Sequence, residues 1–363
     1  MKRIFITVGV LMAITTIHCF SQNLSNTQLE HMRLQSQRKE INLPDILGYK
    51  TLKGDFHMHT VFSDGIVWPT LRVDEAWQEG LDAIAITEHI EHRPHREFVK
   101  GDHNSPYDIA LPRARQLDII LIRSGEITRS MPPGHLIAMF LDDVNALETP
   151  DVNDALQAAA DQGAFIFWCH PGWKAQQPDT ALWMPEHQEL FDKGLIHGIE
   201  VFNEKEWYPI ALDWGLEKDL AILGFSDIHI VTSHYYDLTN GHRPMSLIFA
   251  QQRSEEAIKE AMFEGRTVAW FDNKLAGKEE YLRAIFDASV TFIDTGIERR
   301  DRKQVKVRNH YAIPFFITDS EGNSVVLPPE REIVVPMKSG TTSFEVTNLF
   351  IKGTEHLKVE ISL

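Results

Sequence analysis

Cysteine is almost missing from this chain of 363 residues, with Cys19 and Cys169 the only two. That excludes a disulfide framework as the source of stability, and a chain this long buries enough core to do without one. Basic residues are also scarce: 36 Lys and Arg stand against 52 Asp and Glu, a formal charge of −16. A surface of that sign repels polyanions, which excludes long nucleic acid as a partner and admits small anions only where metal ions supply local positive charge. After the first twenty residues no apolar run is long enough to span a bilayer, and there are no low-complexity tracts.

The start of the chain is the exception. Met1-Lys2-Arg3, the apolar run from Ile4 to Ile17 and then His18-Cys19-Phe20-Ser21-Gln22 have the layout of a secretory signal peptide, with cleavage expected near Ser21 or Gln22. A lipid anchor on Cys19 is the competing reading, disfavoured because His18 is bulky and polar where such sites take a small residue. Loss of residues 1–21 removes Lys2 and Arg3 from the 36 basic residues, leaving 34 against 52 acidic ones, a charge of −18, and Cys169 as the sole thiol. The expectation is an exported protein, periplasmic or extracellular. No pattern in the chain fixes its oligomeric state.

Residues 22–50 read as a polar leader. From 51 to 273 short apolar runs (Phe56-Met58, Ala83-Thr87, Ile119-Ile122, Leu136-Leu141, Ala164-Cys169, Gly198-Phe202, Ala221-Phe225, Ser246-Ala250) alternate with helical stretches such as Leu71-Glu79, Val152-Gln162 and Glu255-Phe263, several closed by glycine. Strands alternating with helices predict parallel pairing in an α/β fold, and seven or eight such units predict a closed barrel. Residues 274–363 change character to short β-type runs divided by turns, which predicts a small C-terminal β-sandwich. It carries no clustered His, Asp or Cys, and its expected role is packing.

Polar residues fall where the barrel runs end, at a rim where a parallel barrel builds its sites. In Gly54-Asp55-Phe56-His57-Met58-His59 the alternation of period two puts both imidazoles on one face, and Ser63-Asp64-Gly65 has turn composition that swings a carboxylate back toward them. Two His and an Asp are a ligand set for Zn²⁺ or Mn²⁺. Further along come Thr87-Glu88-His89, Gly125-Glu126, Gly134-His135, Cys169-His170-Pro171-Gly172 and Ser226-Asp227-Ile228-His229.

Taken in order over Gly54 to His229, these motifs resemble those of the PHP (polymerase and histidinol phosphatase) family. The resemblance implies a distorted (βα)7 barrel holding two or three divalent metal ions, Zn²⁺ or Mn²⁺ with iron as a further option, and hydrolysis of phosphate esters by water activated at the metals. It also implies that His57, His59, Glu126 and Asp227 hold one metal, that Glu126 bridges to a second held by His135 and His170, and that Asp64, His89 and His229 hold a third. Two departures stand out: Glu88 where the family more often has Asp, and Asp64 where some members have His. His135 is the hardest ligand to place, because Pro132-Pro133-Gly134 precedes it.

Other residues near the motifs are candidates for the substrate. Arg129, Lys174 and Arg243 offer cationic groups to phosphate oxygens, and Arg129 joins Glu126, Asp227 and His229 in the expected catalytic set. Asn203 ends a strand facing the rim, and Trp173, Trp207 and Tyr208 offer an apolar wall. His92, His95 and His103 read as a solvated loop, and Cys169 as a small buried residue. The expected activity is metal-dependent hydrolysis of small organic phosphodiesters, diesters being favoured by the scarcity of Lys and Arg near the motifs. Alternatives are an amide or carbamate hydrolase using the same metals, a phosphomonoesterase and, least favoured, a binding protein without turnover.

Overall fold

In the computed structural model, which describes residues 37–300 and 302–362, strands and helices alternate as far as the ninth strand, except at two places where one strand follows another directly. The elements are β1 (Lys50–Asp55), α1 (Pro69–Gln78), β2 (Ala83–Ile86), α2 (Ser105–Leu117), β3 (Ile120–Thr128), β4 (His135–Met139), α3 (Val152–Asp161), β5 (Phe165–Trp168), α4 (Pro185–Asp192), β6 (Gly198–Asn203), β7 (Glu206–Trp207), α5 (Pro209–Glu217), β8 (Ala221–Phe225), α6 (Thr232–Tyr235) and β9 (Met245–Ala250). Next come α7 (Glu255–Phe263), β10 (Thr267–Phe271), β11 (Lys274–Gly277) and α8 (Glu279–Ser289). The chain ends in β12 (Val290–Arg299), β13 (Arg302–Asn309), β14 (Phe315–Asp319), β15 (Ser324–Leu327), β16 (Glu332–Lys338), β17 (Thr341–Phe350) and β18 (His356–Ser362). The expected signal peptide and most of the leader lie outside the described residues. Among the described residues no helix is long and apolar enough to cross a membrane.

The helices start and stop for local reasons. Pro69 opens α1 at a position whose N–H has no helical partner anyway, and the Asp151 carboxylate accepts from Asn153 N–H to cap α3. Gly163 closes α3 with φ +68°, a conformation that costs a residue bearing Cβ. Strands such as β5, Phe-Ile-Phe-Trp, are buried along their whole length, as expected of strands covered on both faces.

The fold is α/β with a mixed sheet. The ladder runs β9-β1-β2-β3-β4-β5-β6-β8, parallel at β1–β2, β2–β3, β5–β6 and β6–β8 but antiparallel at β9–β1, β3–β4 and β4–β5. Uniform parallel pairing is therefore corrected. Only residues 129–134 separate β3 from β4, too few for a helical crossover, so the chain turns straight back. Between β8 and β9 the Ser246 hydroxyl accepts from Gly224 N–H at 3.0 Å and donates to its carbonyl at 3.3 Å, in place of a backbone ladder.

The C-terminal strands belong to two sheets. β12, β13 and β16 form a three-stranded antiparallel sheet, while β14, β15, β17 and β18 join the main sheet where β17 pairs with β11. α8 supplies Tyr281, Leu282, Ile285 and Phe286 to a cluster that also contains Met58, Val73, Phe315, Val346 and Leu357, so these strands share a core with the part of the chain that carries the first histidines.

Candidate metal centre

The first strand ends at Asp55, two residues before His57, and not at Met58. Past it, Met58 forms a single parallel bridge with Ile228 and His59 N–H donates to the Ile228 carbonyl at 3.0 Å. The alternation survives: Phe56 and Met58 are in the core and His57 and His59 share the opposite side. The turn behind them requires its glycine, because a Cβ on Gly65 would stand 2.7 Å from the His59 carbonyl carbon and the Thr60 nitrogen. His135 reaches the same rim by a different route, as the first residue of reversed β4, paired with Thr128 at the end of antiparallel β3.

The nine predicted ligands are brought together. His57 Nε2 and His59 Nε2 each lie 3.2 Å from Glu126 Oε2 and 3.1 Å from Asp227 Oδ1. On one side of this group His135 Nδ1 is 2.6 Å from Glu126 Oε1, and the His135 and His170 rings stand 4.9 Å apart. On the other, Asp64 Oδ1 is 3.2 Å from His229 Nε2 and 3.5 Å from His89 Nε2, with the His59 ring stacked between those of His89 and His229.

The fit to metal ions rests on which atoms lack partners. Of the thirteen buried side-chain atoms without a hydrogen bond among the described residues, five converge in this cluster: His59 Nε2, Asp64 Oδ1, Glu126 Oε1, His135 Nδ1 and Asp227 Oδ1, which approach one another as closely as 2.6 Å without hydrogen-bond geometry. Buried polar atoms are ordinarily satisfied, so orphans that converge are the signature of a cation's coordination shell. Subsets of the same residues lie close enough to share an ion: His57, His59 and Asp227; His57, Glu126 and His170; His59, Asp64, His89 and His229.

Electrostatics agree. Burial opposes ionisation of Glu126, yet the His89 and His135 imidazoles outweigh it and hold that carboxyl well below the usual range. Asp227 is likewise depressed, against burial, by His57 and His59. Burial also opposes protonation of His57 and His89, but Asp227 and Glu200 lift the first well above its ordinary value, and Glu126 and Asp64 lift the second to about 11. The carboxylates thus hold protons on imidazoles where no other positive charge is available, the demand that divalent ions meet. In His170 burial outweighs the pull of Asp227 and Glu126, and the imidazole is pushed down to about 3 and stays a neutral donor.

In four of the cluster's six histidines the other ring nitrogen is held by the fold. Glu200 Oε1 takes His57 Nδ1 at 2.8 Å, Ser63 Oγ lies 3.3 Å from His59 Nδ1 and itself donates to Glu88, Thr128 Oγ1 holds His89 Nδ1 at 2.7 Å, and the Asp227 carbonyl holds His229 Nδ1 at 2.7 Å. Such partners set the tautomer and aim Nε2 at the metal. Glu88 also accepts from Thr60 N–H and its hydroxyl, so this residue ties down the turn behind His59.

Two residues absent from the sequence reading do much of the positioning. Glu200, fully buried in β6, accepts from His57 Nδ1, His170 N–H at 2.7 Å and Asn203 Nδ2 at 2.9 Å. A single charge inside Gly-Ile-Glu-Val-Phe-Asn was the available signal. Arg72, buried in α1, donates to the carbonyls of His59, Ile228 and Ile230 and to Glu75, joining the first and last ligand loops.

Three cationic assignments are corrected. Arg243 has no exposed surface, forms two bonds to Glu79 at 2.6 and 2.8 Å and one to Asp55 at 3.1 Å, and so braces the floor beneath the site with no reach to a substrate. Arg129 is spent on Glu91 at 2.8 Å and the carbonyls of Thr149 and Pro150, which removes it from both the catalytic and the substrate set. Lys174 is exposed and does not line the pocket. Trp207 packs on Phe202 and Phe350, and Tyr208 is buried and bonded to Glu206, so Trp173 alone of the three aromatics forms a wall. His103 is buried beside Glu148 and not solvated, whereas His92 is exposed, 3.9 Å from Asp64. Cys169 is buried, which pushes its thiol well up and makes it a poor nucleophile.

The pocket over the cluster holds about 210 Å³. Six of the ligands line it, with Trp173, Asn203, Glu204 and Glu206 completing the wall.

No protein-family model and no curated protein matches the sequence. Among solved structures, a two-domain protein from Bacteroides vulgatus containing a predicted PHP-like metal-dependent phosphoesterase is 43% identical, with a TM-score of 0.87 over 91% of this chain and 100% of that one. Two more distant matches are a protein from Bifidobacterium adolescentis assigned as a metal-dependent phosphoesterase (17% identity, TM-score 0.41, 48% of this chain and 87% of that) and an amidohydrolase from Chromobacterium violaceum (14%, 0.38, 50% and 88%). At those scores they carry no argument.

Proposed function

The chain belongs to the PHP-like metal-dependent phosphoesterase family, and we propose that within it this member hydrolyses small organic phosphodiesters. The observation that carries the reading is the meeting of buried, unpartnered ligand atoms at the base of a 210 Å³ pocket whose lining includes no Lys or Arg. Phosphoryl charge in such a pocket is balanced by metals alone, which favours the singly charged diester over a doubly charged monoester.

His57, His59, Glu126 and Asp227 would hold one ion, His135 and His170 with Glu126 a second, and Asp64, His89 and His229 a third; Zn²⁺ and Mn²⁺ suit this mixture of imidazole and carboxylate. When bound, such ions polarise a phosphoryl oxygen and make a water acidic enough to attack near neutral pH. The chain's own part is geometric. Glu200 and Asn203 hold His57 and Asp227, Asp227 Oδ2 lying 3.3 Å from the Asn203 amide nitrogen. Glu88 steadies the His59 turn, and the Trp173 ring, 5.3 Å from that of His170 and 5.6 Å from that of His135, screens one side of the reacting centre from water. Residues 1–21 are proposed to direct export, which N-terminal sequencing of the mature protein from fractionated cells checks.

Purified protein is to be assayed with bis(p-nitrophenyl) phosphate and p-nitrophenyl phosphate, with chelator and with Zn²⁺ or Mn²⁺ restored. The expected result is metal-dependent release of nitrophenol, faster from the diester. Release from neither ester would overturn the proposal.

A further inference from the structure

The four wall residues outside the ligand set share one chemical character. Asn203 is only 4% exposed; its Nδ2 donates inward to Glu200 and Asp227, and its Oδ1 accepts from no described residue, so the carbonyl oxygen is what it presents to the pocket. Glu204, held by the Tyr235 hydroxyl at 2.7 Å, and Glu206, held by Tyr208, add two carboxylates that belong to none of the metal-holding groups. Opposite charge is kept away. Lys205 sits between the two glutamates, but its Nζ lies 3.8 Å over the Tyr235 ring and it lines the neighbouring pocket instead. Trp173 contributes a ring that is 41% exposed.

Two carboxylates, an unpartnered carbonyl oxygen and an indole ring are the groups that recognise an ammonium ion, and they oppose a second anion. We propose that the pocket selects phosphoesters whose alcohol carries a primary or quaternary ammonium group, with Glu204 and Glu206 as the specificity-determining residues. Glu204 and Glu206 balance the cationic head, the Asn203 oxygen accepts from an N–H when there is one, and the Trp173 ring covers the alkyl or methyl groups. The inference rests on the phosphodiester reading above.

The test compares three chromogenic diesters that share a leaving group: p-nitrophenyl phosphorylcholine, 2-aminoethyl p-nitrophenyl phosphate and ethyl p-nitrophenyl phosphate. With the metal-loaded enzyme, kcat/KM for the two cationic esters should exceed that for the ethyl ester by about tenfold or more, a ratio that collapses in the Glu204→Gln/Glu206→Gln double variant. Trp173→Ala should lower the choline ester more than the aminoethyl ester. An ethyl ester used as well as the cationic ones, or a ratio unmoved by the double variant, overturns the inference. If no ester is turned over, the phosphodiester reading has failed, and calorimetric titration with the same three compounds still decides recognition: equal affinities overturn it, and tighter binding of the cationic pair that the double variant abolishes sustains it.

Discussion

Glu200→Ala should cost this protein its metals before it costs its fold. Glu200 has no exposed surface, and three donors converge on its carboxylate: His57 Nδ1, His170 N–H and Asn203 Nδ2, at 2.7 to 2.9 Å. Truncation leaves His57 Nδ1 and the His170 N–H buried without an acceptor and Asn203 Nδ2 with Asp227 alone; at about 1–3 kcal/mol for each stranded donor, the metal-free protein should lose roughly 2–6 kcal/mol. The larger consequence is for geometry. His57 and His170 are assigned to different metal ions, and the same carboxylate orients both, so metal affinity should fall by about 10–100-fold. Glu200→Gln keeps one oxygen but turns the other into a donor facing a donor, which predicts an intermediate loss. Metal per chain is to be measured by mass spectrometry after dialysis against graded chelator, alongside urea unfolding of the metal-free proteins. Wild-type metal content in Glu200→Ala at every chelator concentration, with stability within about 1 kcal/mol, would refute the reasoning.

Arg243→Met should destabilise the protein by about 3–5 kcal/mol in denaturant, because it strands the buried Glu79 and Asp55 carboxylates, whereas Lys174→Ala should leave kcat/KM within about twofold. An Arg243 variant of normal stability but raised KM would restore the phosphate-binding role denied to it here. Arg72→Met removes the link between the His59 and Ile228 carbonyls, and thermal unfolding should show a loss of comparable size, about 3–5 kcal/mol, with weakened metal retention. Chelation of the wild-type protein should lower its melting temperature, and metal at 100 times its dissociation constant should return about 2.7 kcal/mol; a melting curve indifferent to metal would count against the centre.

The ligand residues were legible in the sequence because imidazoles and carboxylates at the ends of apolar runs have few other reasons to be there, and their order along the chain is itself informative. Glu200 was missed because one charge in a buried strand looks like an edge residue until its three donors, two of them on distant segments, are in place. Arg243 was misread for the opposite reason. A cation beside a Gly-His turn looks available, and its partners Asp55 and Glu79 lie more than 160 residues away. The α/β class followed from the alternation of runs, but direction did not: β4 reverses because its connection is short, and β10, β11 and α8 were overlooked where the pattern passes into the C-terminal strands.

The guanidinium of Arg72 also sets a timetable. It closes on carbonyls 13, 156 and 158 residues further from or nearer to it along the chain, His59 on one side and Ile228 and Ile230 on the other. Until the polypeptide extends past Asp227 to Ile230, the opening pair of histidines lacks both the aspartate that faces it and the carbonyls through which Arg72 ties it to the last ligand loop. A fragment ending short of Asp227 would therefore carry most of the donors yet lack both the closing carboxylate and the carbonyls that Arg72 grips, and it should retain ions poorly.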